Sequence, residues 1–144
     1  MLVSPRLQKY FDQYAESHKN KVNLMIHKVA IPLIIFHISA MLTWVHLFSI
    51  HHYTISLAEF MTLGAFIFYL SLNIRYALIM LVYFVLCIFI AHITPVWLVW
   101  AITIFAWVIQ LLGHAIWEKR APAFTENFLQ LLVGPLFFLN KVLN

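Results

Sequence analysis

Residues 76 to 117 run without a single Lys, Arg, Asp or Glu, and residues 29 to 58 and 60 to 74 are equally free of them. A water-soluble fold has to cover its surface with polar and charged groups, and a chain that is 64% hydrophobic and 10% charged cannot do so. The sequence therefore describes an integral membrane protein. A membrane helix needs roughly 20 apolar residues to cross a hydrocarbon core of about 30 Å. The length then allows four to five crossings and no separate soluble domain. We expect an all-α polytopic transmembrane bundle forming a single integral membrane domain over residues 1–144.

The pattern along the chain fills in this outline. Residues 4 to 17 alternate Leu7, Tyr10, Phe11 and Tyr14 with Arg6, Lys9, Asp12 and Glu16 at helical spacing, which predicts an N-terminal amphipathic helix lying in the membrane interface. Spans are predicted over about 24–46, 56–72, 76–91 and 96–117, with turns at "FSIHHYT" and at "HITP". The stretch 127–143 contains Gly134 and Pro135 and is left open between spanning, kinked and interfacial readings.

The net charge of +4 does not imply nucleic acid, because the basic residues stand at the ends of apolar runs instead of forming a stripe. They act as topology signals. Arg6, Lys9, Lys19, Lys21, Lys28, Arg75, Lys119 and Arg120 fall on one side if the N-terminus is cytoplasmic, and the turns at 47–55 and 92–95 hold no Lys or Arg. The first twenty residues lack a continuous apolar core, so no cleavable signal peptide is expected. The lone cysteine, Cys87, excludes disulfides within the chain and Cys-based zinc sites.

In this topology the start of the first span and the end of the fourth share the cytoplasmic side, and both are unusually polar. Gln110, His114 and Glu118 fall four residues apart and line one face of a helix that Trp107 begins. Gly113 permits close approach of a helix or a ligand. Ionisable groups this close to hydrocarbon are costly unless paired or functional, so the stripe serves either as polar glue between helices or as part of a site. At the other doorway, His18 and His27 would point to opposite faces of one unbroken helix. Asn20 resolves this if it caps the first span, leaving His18 on a loop that folds back toward His27. Asn23 lies one turn before His27. His18, His27, His114 and Glu118 would then converge in a bundle, a donor set that suits iron(II) and leaves zinc chemically open.

The remaining histidines read differently. His37 is mid-span and fits a helix–helix hydrogen bond. His46, His51, His52 and His92 belong to the opposite membrane face, and the repeated HxxHH-type boxes of membrane desaturases are absent.

"HKNKVNLMIHKVAIPLI" fits H-x-N-x-x-N-x-x-x-H followed by a proline. "WVIQLLGHAIWEKRAPAFTENFLQ" fits W-x-x-Q-x-x-G-H-x-x-x-E-[KR]-x-x-P-A. Together the two motifs resemble the small membrane family of 2-hydroxy fatty acid dioxygenases of fatty-acid α-oxidation. The second and third spans are similar to the family only as apolar segments. The resemblance implies an iron(II)-dependent oxidoreductase that takes a long-chain 2-hydroxy fatty acid and O2, cleaves C1–C2 and yields the fatty acid one carbon shorter. It implies His18, His27 and His114 as Fe(2+) ligands, and Glu118 as a further ligand or as a carboxylate orienting a histidine. Asn23 and Gln110 take catalytic or substrate-facing roles, and Lys21, Lys119 and Arg120 are candidates for attracting the substrate carboxylate.

The expected setting is membrane lipid, in a bacterial inner membrane or an endoplasmic reticulum, with the site facing the cytoplasm and homo-oligomers open to it. Two other classes fit the same residues: a non-enzymatic helix bundle in which they cap and glue helices, and a zinc-dependent lipid hydrolase. No serine elbow or phosphate-binding glycine loop is present, with only Gly64, Gly113 and Gly134 available.

Overall fold

A computed structural model describes residues 3–125 and 127–143. The elements run α1 (Pro5–Glu16), α2 (Lys21–Thr43), β1 (His46–Ile50), β2 (Tyr53–Ser56), α3 (Leu57–Leu70), α4 (Ile74–Ile93), α5 (Val96–Leu112) and α6 (Leu129–Leu143). A π-helical turn, Gly113–Glu118, follows α5, and a 3-10 turn, Ala123–Thr125, precedes α6. The chain forms two compact units, Met1–Pro32 with Phe105–Asn144, and Leu33–Ile104.

In the first unit, α1 begins where Ser4 caps the Leu7 N–H at 3.3 Å and Pro5 occupies the first helical position. Leu7, Phe11 and Tyr14, spaced on one face, are buried. That face packs on α6: Phe11 meets Phe137 edge-on at 5.8 Å between ring centroids, and Tyr14 meets the same ring at 4.9 Å. Gly134 permits the approach, since a Cβ there would lie 3.1 Å from the Tyr14 hydroxyl. The stretch left open by the sequence is thus one helix, through Pro135, with residues 133–138 buried.

The chain then turns at residues 17–20. Asn20 starts α2 as its spacing predicts, its side chain accepting from the Val22 N–H at 2.8 Å and its carbonyl from the Leu24 N–H at 3.0 Å.

In the second unit, α2 ends at Thr43 instead of continuing to residue 46. An antiparallel hairpin follows, pairing Phe48 with Ile55, Ser49 with Thr54 and Ile50 with Tyr53. Its tight turn places His51 in the left-handed region at φ 54. The fold is all-helical apart from this hairpin, which stands where a turn was expected: β-branched and aromatic residues on both arms favour strand once the helix has ended. Ser56 and Glu59 then form a capping box that starts α3, and Asn73 caps α4. Tyr69 and Phe84 stack between these two helices at 6.4 Å.

Three helical stretches are long and apolar enough to cross a membrane: Lys21–Thr43, Ile74–Ile93 and Val96–Glu118. Leu57–Leu70 and Leu129–Leu143 are apolar but shorter. Large apolar side chains such as Met25, Phe89 and Trp97 are more than half exposed, as suits contact with lipid.

Candidate metal centre

The motif residues from His18 to Pro32 and from Trp107 onward lie in the first unit. His18 sits on the turn after α1, His27 lies one turn into α2 beyond Asn23, and His114 is the second residue of the π-helical turn. All three are buried, with exposures of 4%, 0% and 1%. Their ring nitrogens converge: His18 Nε2 is 3.1 Å from His27 Nε2, and His27 Nε2 is 2.9 Å from His114 Nε2. Among the described residues they form the one group of His, Cys, Asp or Glu side chains whose donor atoms lie close enough together to hold a metal ion.

The hydrogen bonds on the far side of the rings decide what this convergence means. His18 Nδ1 lies 2.8 Å from the Tyr14 carbonyl oxygen, and His27 Nδ1 lies 2.8 Å from the Asn23 carbonyl oxygen. A carbonyl only accepts, so each Nδ1 must carry the proton. Each neutral ring then presents an unprotonated Nε2 lone pair to the other at 3.1 Å. Two lone pairs at that separation repel unless a cation lies between them. A proton on His18 is a poor candidate, because burial pushes that imidazole down to about 4. A metal ion fits: with metal–nitrogen bonds of about 2.1 Å, nitrogens bound at right angles stand about 3 Å apart.

The supporting residues explain the geometry. Glu118 does not join the converging nitrogens; its Oε1 accepts from the Asn20 backbone N–H at 2.9 Å and from Asn23 Nδ2 at 3.2 Å. It thereby ties the start of α2 to the π turn and steadies Asn23, whose carbonyl fixes His27. These bonds reach His27 only through Asn23. Gln110 places its amide nitrogen 2.8 Å from His27 Nε2. The widened π turn, a feature that often marks functional sites, lets Gln110 and His114 both reach His27 across one end of the helix. Lys119 ends it in a left-handed conformation at φ 51, its N–H on the His114 carbonyl.

Lys21, Lys119 and Arg120 are exposed; the backbone N–H groups of Lys119 and Arg120 donate to the His114 carbonyl, that of Arg120 at 3.4 Å. His37 is buried within α2 in the other unit. His46, His51, His52 and His92 are exposed there, apart from the cluster.

The sequence reading missed the ring of support around His18. Tyr14 stacks on it face to face at 3.9 Å and 4°, and Phe138 lies 6.0 Å from His27. The four-residue step from Tyr14 to His18 was visible, but the stacking depends on how the turn after α1 is closed.

The comparisons with known proteins bear on this geometry. The family model described as "2-hydroxy-palmitic acid dioxygenase Mpo1-like" matches residues 5–144. The chain belongs to the Mpo1-like family. It is 31% identical over 130 residues to the 2-hydroxy-palmitic acid dioxygenase MPO1 of Saccharomyces cerevisiae, covering 88% of this chain and 72% of the yeast protein. No solved structure matches. The Mpo1-like match takes in both motifs, so the buried histidines and their carbonyl partners lie inside the region shared with the family.

Proposed function

We propose that this membrane protein is an iron(II)-dependent dioxygenase that cleaves C1–C2 of long-chain 2-hydroxy fatty acids. The observation that carries the reading is the pair of imidazoles, His18 and His27, locked by carbonyls into tautomers whose Nε2 lone pairs face each other at 3.1 Å. Membership of the Mpo1-like family supplies the substrate class.

His18, His27 and His114 hold the metal in this reading. Iron(II) bound there supplies the charge that draws the carboxylate and hydroxyl of the substrate together and the redox capacity to use O2. The chain's own part is preorganisation. The Tyr14 and Asn23 carbonyls keep the ligand nitrogens deprotonated, the Tyr14 ring and Phe138 shield His18 and His27 from water, and Glu118 steadies the turn that carries Asn20 and Asn23. Asn23 and Gln110 add polar groups beside the reacting centre, while Lys21, Lys119 and Arg120 attract the carboxylate from the interface. By the positive-inside rule, the N-terminus and the site face the cytoplasm in this reading.

The overall chemistry balances with one O2. A 2-hydroxy acid gives the acid one carbon shorter, CO2 and water: C2 is oxidised from the alcohol to the carboxyl level, C1 leaves as CO2, and O2 takes all four electrons. No further reductant is required.

The test is anaerobic loading of detergent-purified protein with iron(II), followed by 2-hydroxypalmitate labelled at C1, with and without oxygen. The shorter acid and labelled CO2, formed only with oxygen and in equal amounts, are expected. Zinc-loaded protein that instead hydrolyses a lipid ester without oxygen would assign a hydrolase, and no turnover with either metal and substrate would leave the helix-glue reading.

A further inference from the structure

We propose that Gln110 is the fourth protein ligand of this centre, binding the metal through its side-chain amide oxygen beside the Nε2 atoms of His18, His27 and His114. The proposal rests on the metal-centre reading above and adds a ligand to it.

The argument starts from a conflict over one lone pair. His27 Nδ1 holds its proton against the Asn23 carbonyl, so Nε2 has a single lone pair to give. Gln110 Nε2 stands 2.8 Å from that nitrogen and claims it as a hydrogen-bond donor. A metal at the point where the three imidazoles converge needs the same lone pair. Both cannot have it, so the amide must move when metal binds.

The surroundings restrict how it moves. Gln110 is only 5% exposed, and its Oε1 is buried without a hydrogen-bond partner among the described residues. A half-turn of the amide about its last bond exchanges oxygen for nitrogen in nearly the same volume, with no repacking. The oxygen then lies where the nitrogen was, at the edge of the cluster. The spacing is right for a ligand: the amide end stands 2.8 Å from His27 Nε2, against 2.9 and 3.1 Å for the neighbouring imidazole nitrogens. A contact that excludes metal becomes one that binds it, and the oxygen gains a partner while the amide nitrogen takes its former place. A neutral carbonyl-type oxygen beside imidazoles suits iron(II) better than a donor set meant for copper or for thiolate-bound zinc. It also supplies a fourth ligand without calling on Glu118, whose oxygen is engaged by Asn20 and Asn23.

The experiment uses full-length protein in detergent with cobalt(II) alone and iron(II) alone as probes, reading metal affinity and the visible absorption of bound cobalt, which responds to ligand number. Gln110→Leu removes the oxygen. Its expected cobalt affinity is about 10- to 100-fold weaker, with an altered band pattern. Gln110→Glu restores an oxygen donor and is expected to return affinity to the native level or above. Thermal unfolding of the metal-free forms separates folding from ligation; if Leu at this position prevents folding, Gln110→Met takes its place. Native affinity and a native cobalt spectrum in Gln110→Leu would overturn the proposal while leaving the three histidines as ligands. Native protein that takes up neither metal would overturn the metal centre and this proposal together.

Discussion

Gly113→Ala tests how tightly the two motifs are interlocked. A Cβ at this position would overlap Asn23 Oδ1 and come within 3.5 Å of Asn23 Cγ and Ile26 Cδ1. Asn23 is fully buried, so its side chain cannot swing into solvent; it must tear away from Glu118 Oε1, now 3.2 Å from its Nδ2. Losing a hydrogen bond to a charged group costs about 1.5–3 kcal/mol. Overpacking costs about 1–3 kcal/mol. Replacing a helical glycine by alanine returns only about 0.5–1 kcal/mol. The net expectation is a destabilisation of about 1.5–5.5 kcal/mol, together with metal affinity about 10- to 100-fold weaker, because the displaced residue also carries the carbonyl that fixes His27.

The chain supplies its own control for this prediction. Gly64, inside α3, has nothing within 4 Å of where its Cβ would stand, so Gly64→Ala is expected to be neutral or stabilising by about 0.5–1 kcal/mol. Thermal unfolding and metal titration of both variants in one detergent make the comparison. If Gly113→Ala matches Gly64→Ala in both readouts, the packing of Asn23 against Gly113 does not support the site, and the argument is refuted.

Three further outcomes follow from the same contacts. Glu118→Gln keeps stoichiometric metal at saturation but binds it about 10-fold more weakly, since it loosens Asn20 and Asn23 without removing a ligand; loss of all metal would make Glu118 a ligand itself. Tyr14→Ala strips the ring stacked on His18 and its contacts with Phe137 and Phe138, costing about 3–5 kcal/mol by calorimetry and weakening metal binding, whereas Tyr14→Phe keeps the stack and stays within about 1 kcal/mol. For metal-free protein, the His18 pKa of about 4 lies below its unfolded value, so the unfolded chain takes the proton first as pH falls. Stability is then retained above about pH 6.5 and lost between about 6.5 and 4, by up to about 3 kcal/mol, and His18→Gln flattens that slope in pH-dependent melts.

How much of this was legible in the sequence differs from feature to feature. The convergence of His18, His27 and His114 was, because Asn20 is a strong cap and because buried histidines in an apolar chain need a reason to be there. The face of α1 was also legible, from the spacing of Leu7, Phe11 and Tyr14, although its partner was not: the sequence suggested lipid, and the structure covers those residues with α6. The hairpin was hidden because hydropathy runs on unbroken past Thr43, so an apolar strand and the end of an apolar helix look alike; the Ser56–Glu59 box was the local clue that a new helix begins there. The π turn was invisible, since spacings of four residues suit an α-helix equally well. The stacking of Tyr14 on His18 depends on a turn whose closure only the packed first unit determines.

The most direct measurement of the central claim is metal content of native protein beside His18→Ala, His27→Ala and His114→Ala, each purified after iron(II) loading and checked for folding by thermal unfolding. The account predicts close to one iron per native chain and loss of it in each folded variant. Native protein that is well folded and takes up no iron, with variants that are merely less stable, would contradict it, and the three histidines would then be helix caps and interhelix contacts.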